Sequence, residues 1–251
     1  LDGTKNKSKL GANAILSISL ACARAAANSL NTPLYEYLNI VYRNISGHKS
    51  SMSIPVPMLN IMNGGCHANN DVDIQEFMII PSSKYGFKEG LMKSVEVYMN
   101  LKKHLSDKGH SISVGDEGGF APNLGRSEEV LETIITSIEE IGLVYLDDIS
   151  IALDCAASEL YQDNSYHLAG EGKKLSSDQM VEYITELSKK YEIKSIEDPF
   201  DEGDWDSWKK FTKLNDNLQV VGDDIFVTQE EILKKGIDEN AANSILVKLN
   251  Q

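Results

Sequence analysis

Four ionisable side chains end short apolar segments in the second half of the sequence. The segments IALD, KSIE, VVGD and ILVK end at Asp154, Glu197, Asp223 and Lys248. Intervals of 43, 26 and 25 residues separate these positions, which suits one strand–helix unit each. Carboxyl ends of parallel barrel strands meet at one face, where active sites lie. The spacing therefore predicts that three carboxylates and a lysine converge on one site.

Such a site would bind a hard cation. Three carboxylates pointed at one another repel strongly unless a cation lies between them. Oxygen ligands without His or Cys suit Mg²⁺ first. A lysine close to that cation would have its ammonium form disfavoured and could act as a base. Alternatively, acidic residues often cap helix starts, which explains any one carboxylate equally well but not all of them together with Lys248.

The elements that must position these residues alternate along the chain. Pro199 cannot donate to a strand ladder, so the strand carrying Glu197 must end near it. The predicted strands are ISIALDCA, IKSIEDPF, LQVVGDDIF and SILVKLN, and the predicted helices are SSDQMVEYITELSKKY, DWDSWKKFTKLN and TQEEILKKGIDEN, the last capped by Thr228. This alternation predicts parallel strand–helix units in a doubly wound sheet or a barrel.

The first half of the chain predicts a different arrangement. An Ala-rich segment from about Gly11 to Ile40 is helix-forming until Pro33 interrupts it. The segments SIPVPMLNIMNGG and IQEFMIIP are typical of two strands. Two helices are predicted after them: one ends near Gly109, and SEEVLETIITSIEEIG begins with Ser127 as its cap.

Composition restricts the partners. The 251 residues are 41% apolar and carry a formal net charge of −14, with a pI near 4.8. Nucleic acid and anionic membrane are therefore disfavoured as partners. Three scattered cysteines fit reduced thiols in the cytoplasm rather than disulfides. Because the chain begins without Met and ends in an apolar run, we expect a segment of a longer protein.

Eight segments resemble the enolase family, the phosphopyruvate hydratases of glycolysis. In chain order they are KSKLGANAILSISLA, PVPMLNIMNGG, IQEFMI, VGDEGGFAPN, LDCAASE, SIEDPF, GDDIFVT and LVKLNQ. The resemblance implies an α/β fold: a partial TIM-like barrel of the enolase type over residues 51–251. Residues 1–50 would be the C-terminal helical part of the enolase N-terminal domain. Most of that domain and the last barrel strands would be missing.

The resemblance also implies roles for individual residues. Asp154, Glu197 and Asp223 match the family's ligands for the first magnesium. Lys248 matches the base that removes the C2 proton of 2-phosphoglycerate, and it would also contact the substrate.

Three further residues match the family's catalytic set. Glu117 matches the acid that helps the 3-hydroxyl leave, with Glu76 beside it. His67 matches the histidine of a mobile loop that closes over the substrate, which His67 and Glu76 would contact. Each also has an ordinary interpretation: Glu117 as a turn residue, His67 as a loop histidine, and Glu76 as a hydrogen-bonded polar group at a strand start.

The implied activity is reversible, Mg²⁺-dependent dehydration of 2-phosphoglycerate to phosphoenolpyruvate by a cytoplasmic homodimer. The family's serine-bearing loop and its last substrate-binding lysine, histidine and arginine have no counterpart here, so we expect little activity from this chain alone. Other branches of the superfamily carry a Lys-x-Lys strand, and none of the strands predicted here contains that motif.

The His67 segment departs from the family pattern. GGCHANNDVD has Cys66 in place of a serine and Asn69 in place of a glycine, and Asp71 and Asp73 add negative charge. This departure is the feature that favours the alternative function, a non-catalytic enolase-like binding protein.

Overall fold

The computed structural model divides into two compact units. The described residues are 2–4, 6–48 and 51–251. The first unit is Leu1–Ile54 with Lys248–Gln251, and the second is Pro55–Val247. The domain boundary expected between residues 50 and 51 adjoins Lys49 and Ser50, which lie outside the described residues.

Among its described residues, the first unit contains two helices, α1 (Ala12–Ser29) and α2 (Leu34–Ser46). Pro33 immediately precedes α2 with φ −60°. Proline cannot donate a backbone hydrogen bond inside a helix, so the Ala-rich segment breaks there. The predicted interruption is confirmed. Gly47 ends α2 in the left-handed conformation, with φ 71°, which glycine adopts without steric cost.

The second unit is built on nine strands. In chain order these are β1 (Leu59–Asn63), β2 (Glu76–Pro81), β3 (Ile149–Asp154), β4 (Tyr161–Gln162), β5 (Ser165–Leu168), β6 (Lys173–Leu175), β7 (Ser195–Glu197), β8 (Gln219–Gly222) and β9 (Ser244–Ile245). Six of them form one sheet in the order β1-β2-β3-β7-β8-β9. Pairing is antiparallel from β1 to β3 and parallel from β3 to β9. Over the described residues this sheet is open, with β1 and β9 at its edges.

Strand β9 is shorter than predicted. The segment SILVKLN was expected to be strand as far as Lys248, but β9 ends at Ile245. Its partner β8 ends at Gly222. The last hydrogen bond between the two segments runs from the Leu246 N–H to the Gly222 carbonyl (3.0 Å). The chain after Gly222 turns away through the Asp223 carbonyl, which accepts the Val227 N–H. A strand cannot continue without a ladder partner, so Lys248 lies beyond the strand.

Strands β4, β5 and β6 form a separate antiparallel sheet that the sequence analysis missed. They occupy the start of the 43-residue interval, before the expected helix. Asp163 and Asn164 join β4 to β5 with φ 50° and 58°. Two consecutive residues of positive φ are typical of a tight hairpin, and Asp and Asn tolerate that conformation. The dipeptide was therefore a usable hairpin signal.

Five helices complete the second unit. They are α3 (Gly86–Asp107), α4 (Ser127–Glu139), α5 (Ser177–Lys190), α6 (Trp205–Leu214) and α7 (Glu230–Glu239). Helix α5 begins with a capping box: Ser176 accepts the Gln179 N–H and donates its own N–H to the Gln179 side chain. No described helix is long and apolar enough to cross a bilayer.

Two predicted helix caps are wrong. Ser127 is the first residue of α4, after Arg126, and its buried hydroxyl accepts a hydrogen bond from Tyr183 instead (3.4 Å). Thr228 precedes the capping position of α7, which Gln229 occupies. With φ 52°, Thr228 lies outside the extended region that a capping residue needs.

An aromatic cluster fixes the chain after β7. Trp208 is fully buried, and its ring is 6.1 Å from that of Phe200. Its indole N–H donates to the Asp201 carbonyl (3.1 Å). Phe200 also packs edge-on against Phe211 at 5.4 Å. Burying large rings stabilises this turn, and the turn directly follows the carboxyl end of β7.

Candidate metal and catalytic site

Strand register brings three carboxylates to one edge of the sheet. Glu76 is opposite Asp154 in the β2–β3 pair, and Asp154 is opposite Glu197 in the β3–β7 pair. Because β2 is antiparallel to β3, its first residue lies beside the last residue of β3. Asp223 follows the end of β8, the next strand. All four side chains belong to buried residues.

The carboxylates perturb one another electrostatically. Burial, together with the nearby negative charges of Asp154, Asp198 and Asp223, raises the pKa of Glu197 to about 9. Burial likewise raises the pKa of Asp154 to about 6, against hydrogen bonds from Ala156 and Gln75. Crowded, desolvated carboxylates of this kind favour a positive charge between them. The donor set consists of oxygen atoms, which fits Mg²⁺.

Asp198 holds the turn that carries Asp223. Its two carboxylate oxygens accept the N–H groups of Asp223 (2.9 Å) and Asp224 (2.8 Å). Ligand oxygens of these three residues lie within 4.8 Å of one another. The raised pKa of Asp198, about 7, results mainly from burial, which the two backbone N–H groups oppose. Asp198 is not among the site residues predicted from the sequence, although it directly follows Glu197.

Asp154 is held by two donors. The Gln75 side-chain amide donates to one of its oxygens (3.2 Å), and the Ala156 N–H donates to the other (3.0 Å). Gln75 was also missed, because its role depends on the β2–β3 pairing. The contacts leave Asp154 in a fixed orientation at the sheet edge, which suits a metal ligand.

A second cluster adjoins the carboxylate edge. His67 Nδ1 lies 3.7 Å from Glu76 Oε1 and 3.8 Å from Glu117 Oε1. Their potential ligand atoms all lie within 4.8 Å of one another. Glu76 belongs to both groups, because it also pairs with Asp154. The structure therefore brings together six of the seven candidate residues. Glu76 starts β2, Asp154 and Glu197 end β3 and β7, Asp223 follows β8, and His67 and Glu117 lie in the adjoining loops.

Backbone contacts join the segments of His67 and Glu117. The Asp116 N–H donates to the His67 carbonyl (3.2 Å) and joins the two segments, while within the Glu117 segment the Gly115 N–H donates to the Gly119 carbonyl (2.8 Å). A Cβ atom on Gly115 would lie 2.5 Å from the His67 carbonyl oxygen. This approach is shorter than any ordinary contact, so glycine at position 115 permits the two segments to meet.

We expect Gly115→Ala to destabilise the protein by about 1–3 kcal/mol, the usual cost of overpacking. The added methyl group would push the His67 carbonyl away from Asp116. Urea unfolding measures the change. Gly203→Ala is the control, because its Cβ would approach only the Asp201 carboxylate, at 3.0 Å. Equal stability of the two variants would contradict the close approach.

Lys248 is the seventh candidate. It lies three residues beyond β9, in the segment that belongs to the first unit. Its carbonyl accepts a hydrogen bond from the Gln251 N–H (3.1 Å). The assignment of Lys248 as the base rests on the resemblance to the enolase family.

Comparison with known families matches nearly the whole chain. The family described as "Enolase, C-terminal TIM barrel domain" matches residues 51–251. The family described as "Enolase, N-terminal domain" matches residues 1–38. These matches confirm the partial enolase-type barrel expected from the sequence, and the chain belongs to the enolase family.

Proposed function

We propose that this chain belongs to a lyase that reversibly dehydrates 2-phosphoglycerate to phosphoenolpyruvate. The observation that carries the proposal is the position of Glu76. It lies beside Asp154 in the strand register and 3.7 Å from His67 Nδ1, so the carboxylate edge and the His67–Glu117 cluster form one continuous site.

The carboxylate edge supplies the cation site of this proposal. Asp154, Glu197 and Asp223 would hold Mg²⁺, with Asp198 and Gln75 fixing the orientation of two of them. When bound, the cation would stabilise the negative charge that develops on a substrate carboxylate.

The remaining residues would move protons. Lys248 would take the proton from C2, which is weakly acidic because it adjoins a carboxylate. Glu117 would donate a proton to the departing hydroxyl, a poor leaving group otherwise. Its side chain is 48% exposed, so it can reach a substrate that enters from solvent. His67, which lies between Glu76 and Glu117, would also contact the substrate.

The test has a binding arm and a turnover arm. Calorimetry on this chain measures Mg²⁺ binding, which we expect in the wild type and not in Asp154→Asn. Formation of phosphoenolpyruvate is measured on the product of the complete coding sequence, with and without Mg²⁺. Metal-dependent turnover supports the proposal. Metal binding without turnover would instead support the non-catalytic binding protein.

The cytoplasmic location and the homodimer implied by the resemblance belong to the same proposal. Analytical ultracentrifugation of the complete protein measures whether it is a homodimer.

A further inference from the structure

The loop that carries His67 is attached to the rest of the second unit by acidic side chains. We call residues 66–73 the His67 loop. Asp73 is 8% exposed, and its two oxygens accept the N–H groups of Gly170 (3.0 Å) and Glu171 (3.1 Å). Both oxygens of Asp73 thus bind backbone groups of the turn between β5 and β6.

The preceding residues make further attachments. Asp71 Oδ1 accepts the Gly125 N–H (3.1 Å). The Asn70 side-chain amide donates to the carbonyls of Asn63 (2.9 Å) and Pro122 (3.1 Å). The second half of the His67 loop is therefore bonded to three separate segments of the chain.

The turn that receives Asp73 is itself fixed. The Glu171 side chain is 3% exposed and accepts hydrogen bonds from the Tyr183 hydroxyl (2.5 Å) and the Ser127 N–H (3.3 Å). Tyr183 belongs to α5 and Ser127 to α4. Gly170 packs directly on the Asp71 carbonyl, where no side chain would fit. The contacts form a continuous path from two helices to the His67 loop.

The first half of the loop has fewer attachments. Cys66 Sγ donates to the Glu159 carboxylate (3.4 Å), and the Asp116 N–H donates to the His67 carbonyl (3.2 Å). Cys66 is exposed, whereas Val72 and Asp73 are buried. The more strongly attached half of the loop begins at Asn70.

We propose that Asp71 and Asp73 are positioning residues, which anchor the second half of the His67 loop and so hold His67 beside Glu76 and Glu117. This role rests on the proposed function as far as turnover is concerned. It also gives a reason for an acidic residue close to a site proposed for an anionic substrate. Asp73 is needed as a hydrogen-bond acceptor, because both of its oxygens accept backbone N–H groups.

Amide hydrogen exchange on this chain tests the anchor directly. In Asp73→Ala we expect exchange of the peptides covering 64–74 and 169–172 to accelerate about tenfold, because two hydrogen bonds to the Asp73 carboxylate are lost. Asp73→Asn keeps one acceptor oxygen and should be intermediate. Asp71→Ala should accelerate exchange near residue 125 and is a second variant if Asp73→Ala does not fold. Asp216→Asn, at an exposed loop, is the matched control.

Steady-state kinetics on the complete protein test the positioning role. We expect Asp73→Ala to lower kcat for 2-phosphoglycerate about tenfold, with a smaller change in KM, and Asp73→Asn to restore part of it. A purely structural role would lower the melting temperature and leave kcat of the folded enzyme unchanged, which overturns the proposal.

The two arms separate the possible failures. If the wild-type protein does not dehydrate 2-phosphoglycerate, the proposed function fails, and the exchange result still decides the anchor. Unchanged exchange over 64–74 in Asp73→Ala, or acceleration spread evenly over α5 and α6, would overturn the anchor whatever the activity.

Discussion

Without a divalent cation, the free energy of unfolding is expected to fall as the pH rises from about 5 to about 9, and Mg²⁺ is expected to reverse that fall. Burial raises the folded-state pKa of Asp154 to about 6, of Asp198 to about 7 and of Glu197 to about 9. In the unfolded chain these groups titrate near pH ~4.

The sign follows from proton binding. Between the unfolded and folded pKa values, the native state holds protons that the unfolded state has lost. Stability from these groups is therefore complete below pH ~4 and is lost as the pH rises through each folded pKa, by about 1.4 kcal/mol per pH unit for each proton of difference. A bound cation stabilises the ionised carboxylates instead, so its effect grows with pH.

Urea unfolding at a series of pH values, with a chelator or with Mg²⁺, measures both effects. Glu197→Gln should flatten the pH dependence of the metal-free protein and abolish stabilisation by Mg²⁺. Glu186→Gln, at an exposed position of α5, removes the same charge elsewhere and should change neither. Metal-free stability that rises over this pH range would contradict the crowding of the carboxylates.

Lys248→Ala and Glu117→Gln are expected to impair two different proton transfers: removal of the C2 proton in the first variant and protonation of the leaving hydroxyl in the second. Each should lower turnover of the complete protein by about 10²–10⁴-fold, the usual contribution of a general acid or base. Exchange of the C2 proton with solvent should be lost in Lys248→Ala and retained in Glu117→Gln, because removing that proton requires the base but not the acid.

Nuclear magnetic resonance of 2-phosphoglycerate in deuterium oxide follows this exchange. Asp116→Asn is the matched control for Glu117→Gln, because Asp116 is the exposed neighbour in the same loop. Asp116 contacts the His67 segment through its backbone N–H, which this substitution keeps. Neither Lys248→Ala nor the control removes a carboxylate of the sheet edge. Persistent exchange in Lys248→Ala would show that another group is the base.

The sequence predicted well where a local pattern determines the structure. Asp154 and Glu197 end apolar runs that form strands, because a proline or a turn stops each run at a defined residue. The interruption at Pro33 has the same local cause. By contrast, Ser127 and Thr228 are both residue types that often cap helices, but neither does so here. The Ser127 hydroxyl instead accepts a hydrogen bond from Tyr183, and the positive φ of Thr228 is incompatible with a capping position.

Contacts between distant segments could not be predicted from local patterns. Glu76 starts an antiparallel strand, so only the pairing of β2 with β3 shows that it lies beside Asp154. The role of Asp198 likewise depends on the β7–β8 pairing. Asp73 appeared in the sequence as added charge, and its burial against Gly170 and Glu171 became apparent only from the fold.

The pairing of Glu76 with Asp154 also affects how the protein folds. The two residues are 78 positions apart in the chain, and closing so long a loop costs entropy before any contact compensates for it. The carboxylate edge therefore belongs to the slowly formed, long-range part of the topology. We therefore expect a cation that binds there to act mainly on interactions that form late in folding, and so to slow unfolding more than it speeds folding.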